Sequence, residues 1–93
     1  MNEAKAIYEA NRAKEILENP TYQWAIESIK EDLWAQFQNS PVRDSEARER
    51  IYMMMWATKK LQQVLQTTYE TGKLTQIELE HKKKLLERVN FGM

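Results

Sequence analysis

The chain has 93 residues, of which 14 are Lys or Arg and 14 are Asp or Glu, so its formal net charge is zero. This length predicts a single domain over residues 1–93, and a neutral chain is not expected to be basic enough as a whole to be a typical nucleic-acid-binding protein. The absence of cysteine excludes disulfides, thiolate zinc sites and thiol nucleophiles, and two glycines and two prolines leave too little turn chemistry for a multi-stranded sheet.

Four helices are predicted in chain order, over residues 3–18, 20–38, 45–71 and 76–89. Asn19 and Pro20 suit the N-cap and first position of the second helix, and Asp44 or Ser45 suits the N-cap of the third. Gly72 is expected at the C′ position that ends the third helix. The run from Thr75 to Glu78 fits a capping box that begins the fourth.

The first two helices carry different apolar stripes. Small residues form a narrow stripe on the first, where a partner helix could approach closely: Ala6, Ala10, Ala13 and Leu17. One stripe on the second helix is larger and contains Tyr22, Ile26, Ile29, Leu33 and Phe37. Trp24 lies roughly 160–180° from the centre of that second stripe.

The third helix is apolar on all sides over about two turns, from Ile51 to Ala57. Its predicted core stripe is Ala47, Ile51, Met54, Thr58, Leu61, Leu65 and Thr68, yet all seven residues from Ile51 to Ala57 are apolar. A helix that is apolar all round must be buried all round.

The second and third helices are joined by about six residues, which predicts an antiparallel helical hairpin with flanking N- and C-terminal helices. The hairpin covers one side of the third helix, so a second copy is expected to cover the rest and produce an oligomeric helical bundle. This predicted interface consists of Trp24, Tyr52, Met53 and Trp56. The alternative is that the two terminal helices fold over both sites within one chain.

Motifs that carry chemistry are sparse. Glu78 and His81 have the E-x-x-H spacing of di-iron bundles, but the chain has one histidine and Lys82–Lys84 beside it would repel a cation, so an exposed histidine is expected. No serine lies in a G-x-S-x-G turn and no phosphate-binding loop is present. The sequence also contains no run of 18 apolar residues, which a membrane-spanning helix would need. The sequence thus predicts a protein that is not an enzyme and has no metal or cofactor.

The basic cluster near the end of the chain consists of Lys82, Lys83, Lys84 and Arg88. One interpretation is contact with nucleic-acid phosphates, and the other is a solvated or subunit-pairing helix face. Residues 1–50 carry 7 basic and 10 acidic side chains, and residues 51–93 carry 7 basic and 4 acidic ones. The net charges of −3 and +3 allow the two halves to pair within or between subunits.

Four segments resemble a group of short helical proteins of tailed bacteriophages: Ala13–Pro20, Asn39–Asp44, Glu46–Ile51 and Glu70–Leu74. The likeness extends over about residues 12–75 and consists of two helix-boundary signatures and a helix C-cap. It implies a phage or prophage origin, a place in the host cytoplasm or the virion, and a role in virion assembly or DNA packaging. It carries over no catalytic or binding residue.

Three functional hypotheses follow from these observations. The first is a non-enzymatic phage-encoded oligomer that contacts itself, and other phage structural proteins, through the predicted interface. An alternative is a nucleic-acid-binding packaging factor that repeats the basic cluster around a ring. A further alternative is a small phage inhibitor of a host or defence protein.

Overall fold

The computed structural model describes residues 2–91, with side chains through Val89, as three α-helices. They are α1 (Glu3–Glu18), α2 (Pro20–Asn39) and α3 (Ser45–Phe91). At 1.5 Å per residue the 47 residues of α3 extend for about 70 Å, and the longest dimension of the molecule is 76 Å. The predicted all-α class is confirmed, and the first two predicted helices agree with α1 and α2 to within one residue.

Asn19 separates α1 from α2 and serves both helices. Its backbone N–H donates to the carbonyl oxygen of Ile16 at 3.1 Å, which closes α1. Its side-chain Oδ1 accepts from the backbone N–H groups of Thr21 at 2.8 Å and Tyr22 at 3.1 Å, while Pro20 occupies the first turn of α2. The predicted cap and break at this position are confirmed.

The turn between α2 and α3 is held by side chains of the first turn of α3. The carboxylate of Asp44 accepts from the backbone N–H of Ala47 at 3.0 Å and is the N-cap expected from the sequence. The guanidinium of Arg48 reaches back and donates to the carbonyl oxygens of Pro41 and Val42. The Pro41 carbonyl oxygen also accepts from the backbone N–H of Asp44 at 3.0 Å, so side chains and backbone together hold the short turn.

The predicted end of a helix at Gly72 is wrong, because residues 45–71 and 76–89 belong to the single helix α3. Gly72 has no positive φ, as a C′ glycine would have. Instead it faces α1, where a Cβ atom at this position would overlap Ala10 Cβ and the carbonyl oxygen of Ala6. Thr75 is no N-cap either, since its hydroxyl donates to the carbonyl oxygen of Thr71 at 2.9 Å inside the helix.

The covered side of α3 repeats with alternating steps of four and three residues. Gly72 is buried and the other members of this covered seam are partly covered. The seam contains Thr58, Gln62, Leu65, Tyr69, Gly72, Gln76 and Leu79. Such spacing is typical of coiled-coil packing. The core stripe predicted from the sequence is partly wrong, since Met54 is 53% exposed and Leu61 is 50% exposed. Both lie beside the seam, because the predicted stripe shares the row of Thr58 and Leu65 but places its second row one residue too early, at Leu61 and Thr68 instead of Gln62 and Tyr69.

The buried core is small. Its hydrophobic members are Ala6, Ala10, Ala13, Ile26, Leu33 and Ile51. Three of the six are the alanines of the predicted small-residue stripe on α1, which is thereby confirmed as a close-packing face. Alanines contribute little apolar area, so this core offers limited stabilisation.

Helices α2 and α3 pack antiparallel, as the short connection predicts. Lys30 and Leu33 share one hollow with Thr58 and Gln62, whereas the later residues of α2 share another with Ala47 and its neighbours. Later positions on α2 thus face earlier positions on α3. The two helices form the predicted hairpin.

The molecule is extended rather than globular. Its radius of gyration is 20.9 Å, whereas a compact chain of this length has about 12 Å. Its accessible surface is 7902 Å², against about 5,700 Å² for a compact monomer of its mass. Roughly 2,200 Å² of additional surface therefore faces solvent in the isolated chain.

Candidate protein interface

The four residues of the predicted interface are all exposed. The exposed fractions are 70% for Trp24, 69% for Tyr52, 62% for Met53 and 60% for Trp56. The alternative that α1 and the end of α3 cover these side chains is not realised among the described residues. Large apolar side chains of this kind are expected to be buried against a partner.

Trp24 belongs to a different surface from the other three residues. It lies two positions before the buried Ile26, which places it roughly 200° around α2 from the side that packs inward. Tyr52, Met53 and Trp56 lie on α3, outside the covered seam and on sides other than that of the buried Ile51. The structure thus brings three of the predicted interface residues together and leaves Trp24 apart.

Exposed apolar side chains continue along α3 far beyond Trp56. Val64 is 51% exposed and Leu74 is 58% exposed, and Ile77, Leu85 and Val89 are also exposed. The sequence interpretation missed these residues, because a helix end placed at Gly72 divided them between two helices. One uninterrupted helix makes them part of a single long surface.

A second aromatic feature on α2 was also missed. The rings of Trp34 and Phe37 stack with centroids 5.8 Å apart and planes inclined by 17°. Both side chains are exposed, at 55% and 44%. The signal in the sequence is the spacing of three residues, which places both rings on the same side of a helix.

Shallow hollows lie along the hairpin and α3. One, of about 510 Å³, is formed by the end of α2, the turn and the first turns of α3. A second, of about 430 Å³, contains Leu33 and Met55 and is mostly apolar. A third, of about 460 Å³, lies around Val64 on the side of α3 opposite the covered seam, which is called the outer side of α3 below. Apolar hollows of this kind are suited to receiving side chains from another protein surface.

Every side chain from Glu80 to Val89 is exposed, including the whole basic cluster. Because consecutive residues of a helix are 100° apart, Lys82, Lys83 and Lys84 point to three different sides. Lys84 and Arg88 share a side with His81, at positions i, i+3 and i+7. The structure therefore divides the basic cluster between faces of α3.

The E-x-x-H pair is not part of a larger set of ligands. Glu78 and His81 are both exposed, as expected for His81. Within the described residues, no group of three or more His, Asp or Glu side chains is arranged to hold a metal ion. The spacing of Glu78 and His81 alone does not make a di-iron site, which needs further inward carboxylates.

Comparison with known proteins finds no matching family model, no matching curated protein and no matching solved structure. Among the helices of residues 2–91, none combines the length and the apolar character needed to cross a bilayer. The exposed outer side of α3 is the feature of the molecule that bears most directly on function.

Proposed function

We propose that the chain is a non-enzymatic helical protein that acts through protein–protein contacts, and that its first partner is another copy of itself. The outer side of α3 is the contact surface, with Tyr52, Met53 and Trp56 at one end. Buried aromatic residues supply much of the binding energy of protein interfaces. The observation that supports this most strongly is the exposure of Trp56 on a helix whose opposite side is already packed.

The area available for contact fits this role. The extended chain has roughly 2,200 Å² more surface than a compact monomer of its mass. Obligate homodimers bury 2,000–5,000 Å² in total, shared by both partners. Covering part of the additional surface is therefore enough for a stable assembly.

The biological setting that we propose comes from the resemblance to short helical phage proteins. An elongated helical protein with an apolar side suits the assembly of a phage particle, where copies contact each other and other structural proteins. A position in the virion or the infected cytoplasm follows from that proposal. No catalytic step is part of it.

Replacing Trp56 by Asp tests the proposed contact surface. Placing a charge in the interface should reduce the mass measured by light scattering after size exclusion, while circular dichroism shows whether the helices persist. Val42→Asp is the matched control, because Val42 is 84% exposed and lies in the turn away from the outer side of α3. A folded oligomer of unchanged mass in Trp56→Asp would refute the contact surface.

Nucleic-acid binding is a second candidate function, supported by one observation. The side chains of the basic cluster are exposed on the part of α3, from Glu80 to Val89, that no other described segment covers. Lysine and arginine on such a helix are able to contact phosphates. Their distribution over several sides of α3 favours a supporting contact over a dedicated phosphate-binding face.

A further inference from the structure

The outer side of α3 contains a second seven-residue repeat, opposite the covered seam. One row consists of Met53, Lys60, Thr67, Leu74 and His81. The other row begins four residues later and consists of Ala57, Val64, Thr71, Glu78 and Leu85. All ten side chains are exposed and five of them are apolar, so over residues 53–85 α3 has a face with coiled-coil spacing and no partner in the described chain.

The two rows are mirror images about Tyr69. Met53 and Leu85 lie sixteen residues before and after it, and Val64 and Leu74 lie five residues before and after it. In an antiparallel pair of identical helices centred on one residue, each position faces its mirror image in the other copy. We propose that α3 pairs antiparallel with α3 of a second copy, centred on Tyr69.

The charges of Lys60 and Glu78 favour this arrangement over parallel pairing. Lys60 and Glu78 lie nine residues before and after Tyr69, so each dimer contains two such pairs of opposite charge. Neither side chain forms an ion pair with another described residue. Parallel pairing would instead place Lys60 against Lys60 and Glu78 against Glu78 of the second copy, which is unfavourable.

Neighbouring antiparallel registers are also disfavoured. Sliding one helix by seven residues in one direction places Met53 opposite Glu78. Sliding it in the other direction places Lys60 opposite Leu85. Both shifts bury a charge against an apolar side chain, which costs free energy. The centre of the face is polar but uncharged in the favoured register, where Thr67 faces Thr71 of the second copy.

The shape of the surface agrees with this register. The hollow of about 460 Å³ on the outer side of α3 is lined by Lys60, Gln63, Val64, Thr67 and Thr68. Four of these residues stand at positions i, i+3, i+4 and i+7, the arrangement that receives one side chain in knobs-into-holes packing. Leu74 of the second copy faces Val64 in the proposed register and is the side chain that would enter this hollow.

The same pairing brings the basic cluster beside the aromatic end of the interface. The mirror image of Trp56 about Tyr69 is Lys82, and Lys84 is close to it.

Distances between spin labels on two copies measure the orientation directly. The chain has no cysteine, so Glu49→Cys and Glu70→Cys each give one labelling site on an exposed position. Antiparallel pairing about Tyr69 separates the two copies of residue 49 by forty residues of helix, or about 60 Å, and brings the two copies of residue 70 close together. A short distance at both sites would demonstrate parallel pairing and overturn the inference.

Charge reversal tests the register. Lys60→Glu and Glu78→Lys each turn both ion pairs of the dimer into repulsions, and we expect the dissociation constant to rise about tenfold in either variant. The double variant restores opposite charges and should recover the wild-type value. Failure of the double variant to recover it would refute the register.

This inference rests on the proposed self-association, and the outcomes separate the two. A monomeric wild type would refute both. An oligomer whose residue-49 distance or charge-reversal pattern differs from the expectation would refute only the antiparallel register and leave the self-association in place.

Discussion

Gly72 of α3 packs so closely against Ala10 of α1 that there is no room for a Cβ atom on residue 72. A Cβ atom built on Gly72 would overlap Ala10 Cβ and the carbonyl oxygen of Ala6. Glycine in the middle of a helix is unfavourable by about 1 kcal/mol relative to alanine. This unfavourable term is offset because the absence of a side chain at residue 72 permits close packing of α1 on α3.

Gly72→Ala should therefore destabilise the protein in spite of the better helix propensity of alanine. We expect a net loss of about 1–3 kcal/mol in the free energy of unfolding, because α1 must move away from α3. Urea denaturation at a fixed protein concentration measures this loss. Lys73→Ala is the control, since Lys73 is exposed and adjacent, and it should have little effect. An increase in stability of Gly72→Ala would show that α1 does not pack at this site.

Asn19→Ala should weaken the junction of α1 and α2. The amide oxygen of Asn19 accepts from two backbone N–H groups of α2, and loss of an N-cap typically costs about 1 kcal/mol. Thermal denaturation followed by circular dichroism provides the measurement. Asn11→Ala, on an exposed position inside α1, should be neutral or slightly stabilising. Equal losses in both variants would contradict the capping role.

Tyr22→Phe should stabilise the chain or leave it unchanged. The hydroxyl of Tyr22 is shielded from solvent and has no hydrogen-bond partner among the described residues. A buried polar group without a partner costs about 1–3 kcal/mol, and part of this cost should be recovered as a higher free energy of unfolding, measured by thermal denaturation. Tyr8→Phe serves as the reference, because Tyr8 is 58% exposed. Destabilisation of Tyr22→Phe would contradict the absence of a partner for this hydroxyl.

Replacing all four residues of the basic cluster by Gln separates the two candidate functions. Exposed charges contribute little to the stability of an assembly, so the variant should keep the wild-type mass in light scattering. Any affinity for labelled duplex DNA, measured by fluorescence anisotropy at low salt, should be lost. DNA binding that survives the substitution would refute the basic cluster as the contact site.

Local signals in the sequence were sufficient for the first two helices and the hairpin. Asn19 followed by proline, and Asp44 followed by Ser45 and Glu46, are short-range capping patterns that need no tertiary context. The alanine stripe of α1 likewise predicts a close-packing face. These features are decided by residues that are neighbours along the chain or on one side of one helix.

Gly72 was misread because its role depends on a residue more than sixty positions away. A glycine followed by Thr75 and Glu78 has the local pattern of a helix end and a new start. Only the presence of Ala6 and Ala10 against it shows that a small residue is needed inside the helix. The same error hid the outer repeat of α3, since Val64 and Leu85 then stood on separate helices.

Sedimentation equilibrium of the unmodified chain tests the central claim, that the outer side of α3 is a self-association surface. The measurement should be made over a range of protein concentrations at low and high salt. We predict an integral multiple of the 11.1 kDa chain mass, retained at high salt because apolar contacts carry most of the affinity. A fully helical monomer of 11.1 kDa at every concentration would contradict the claim.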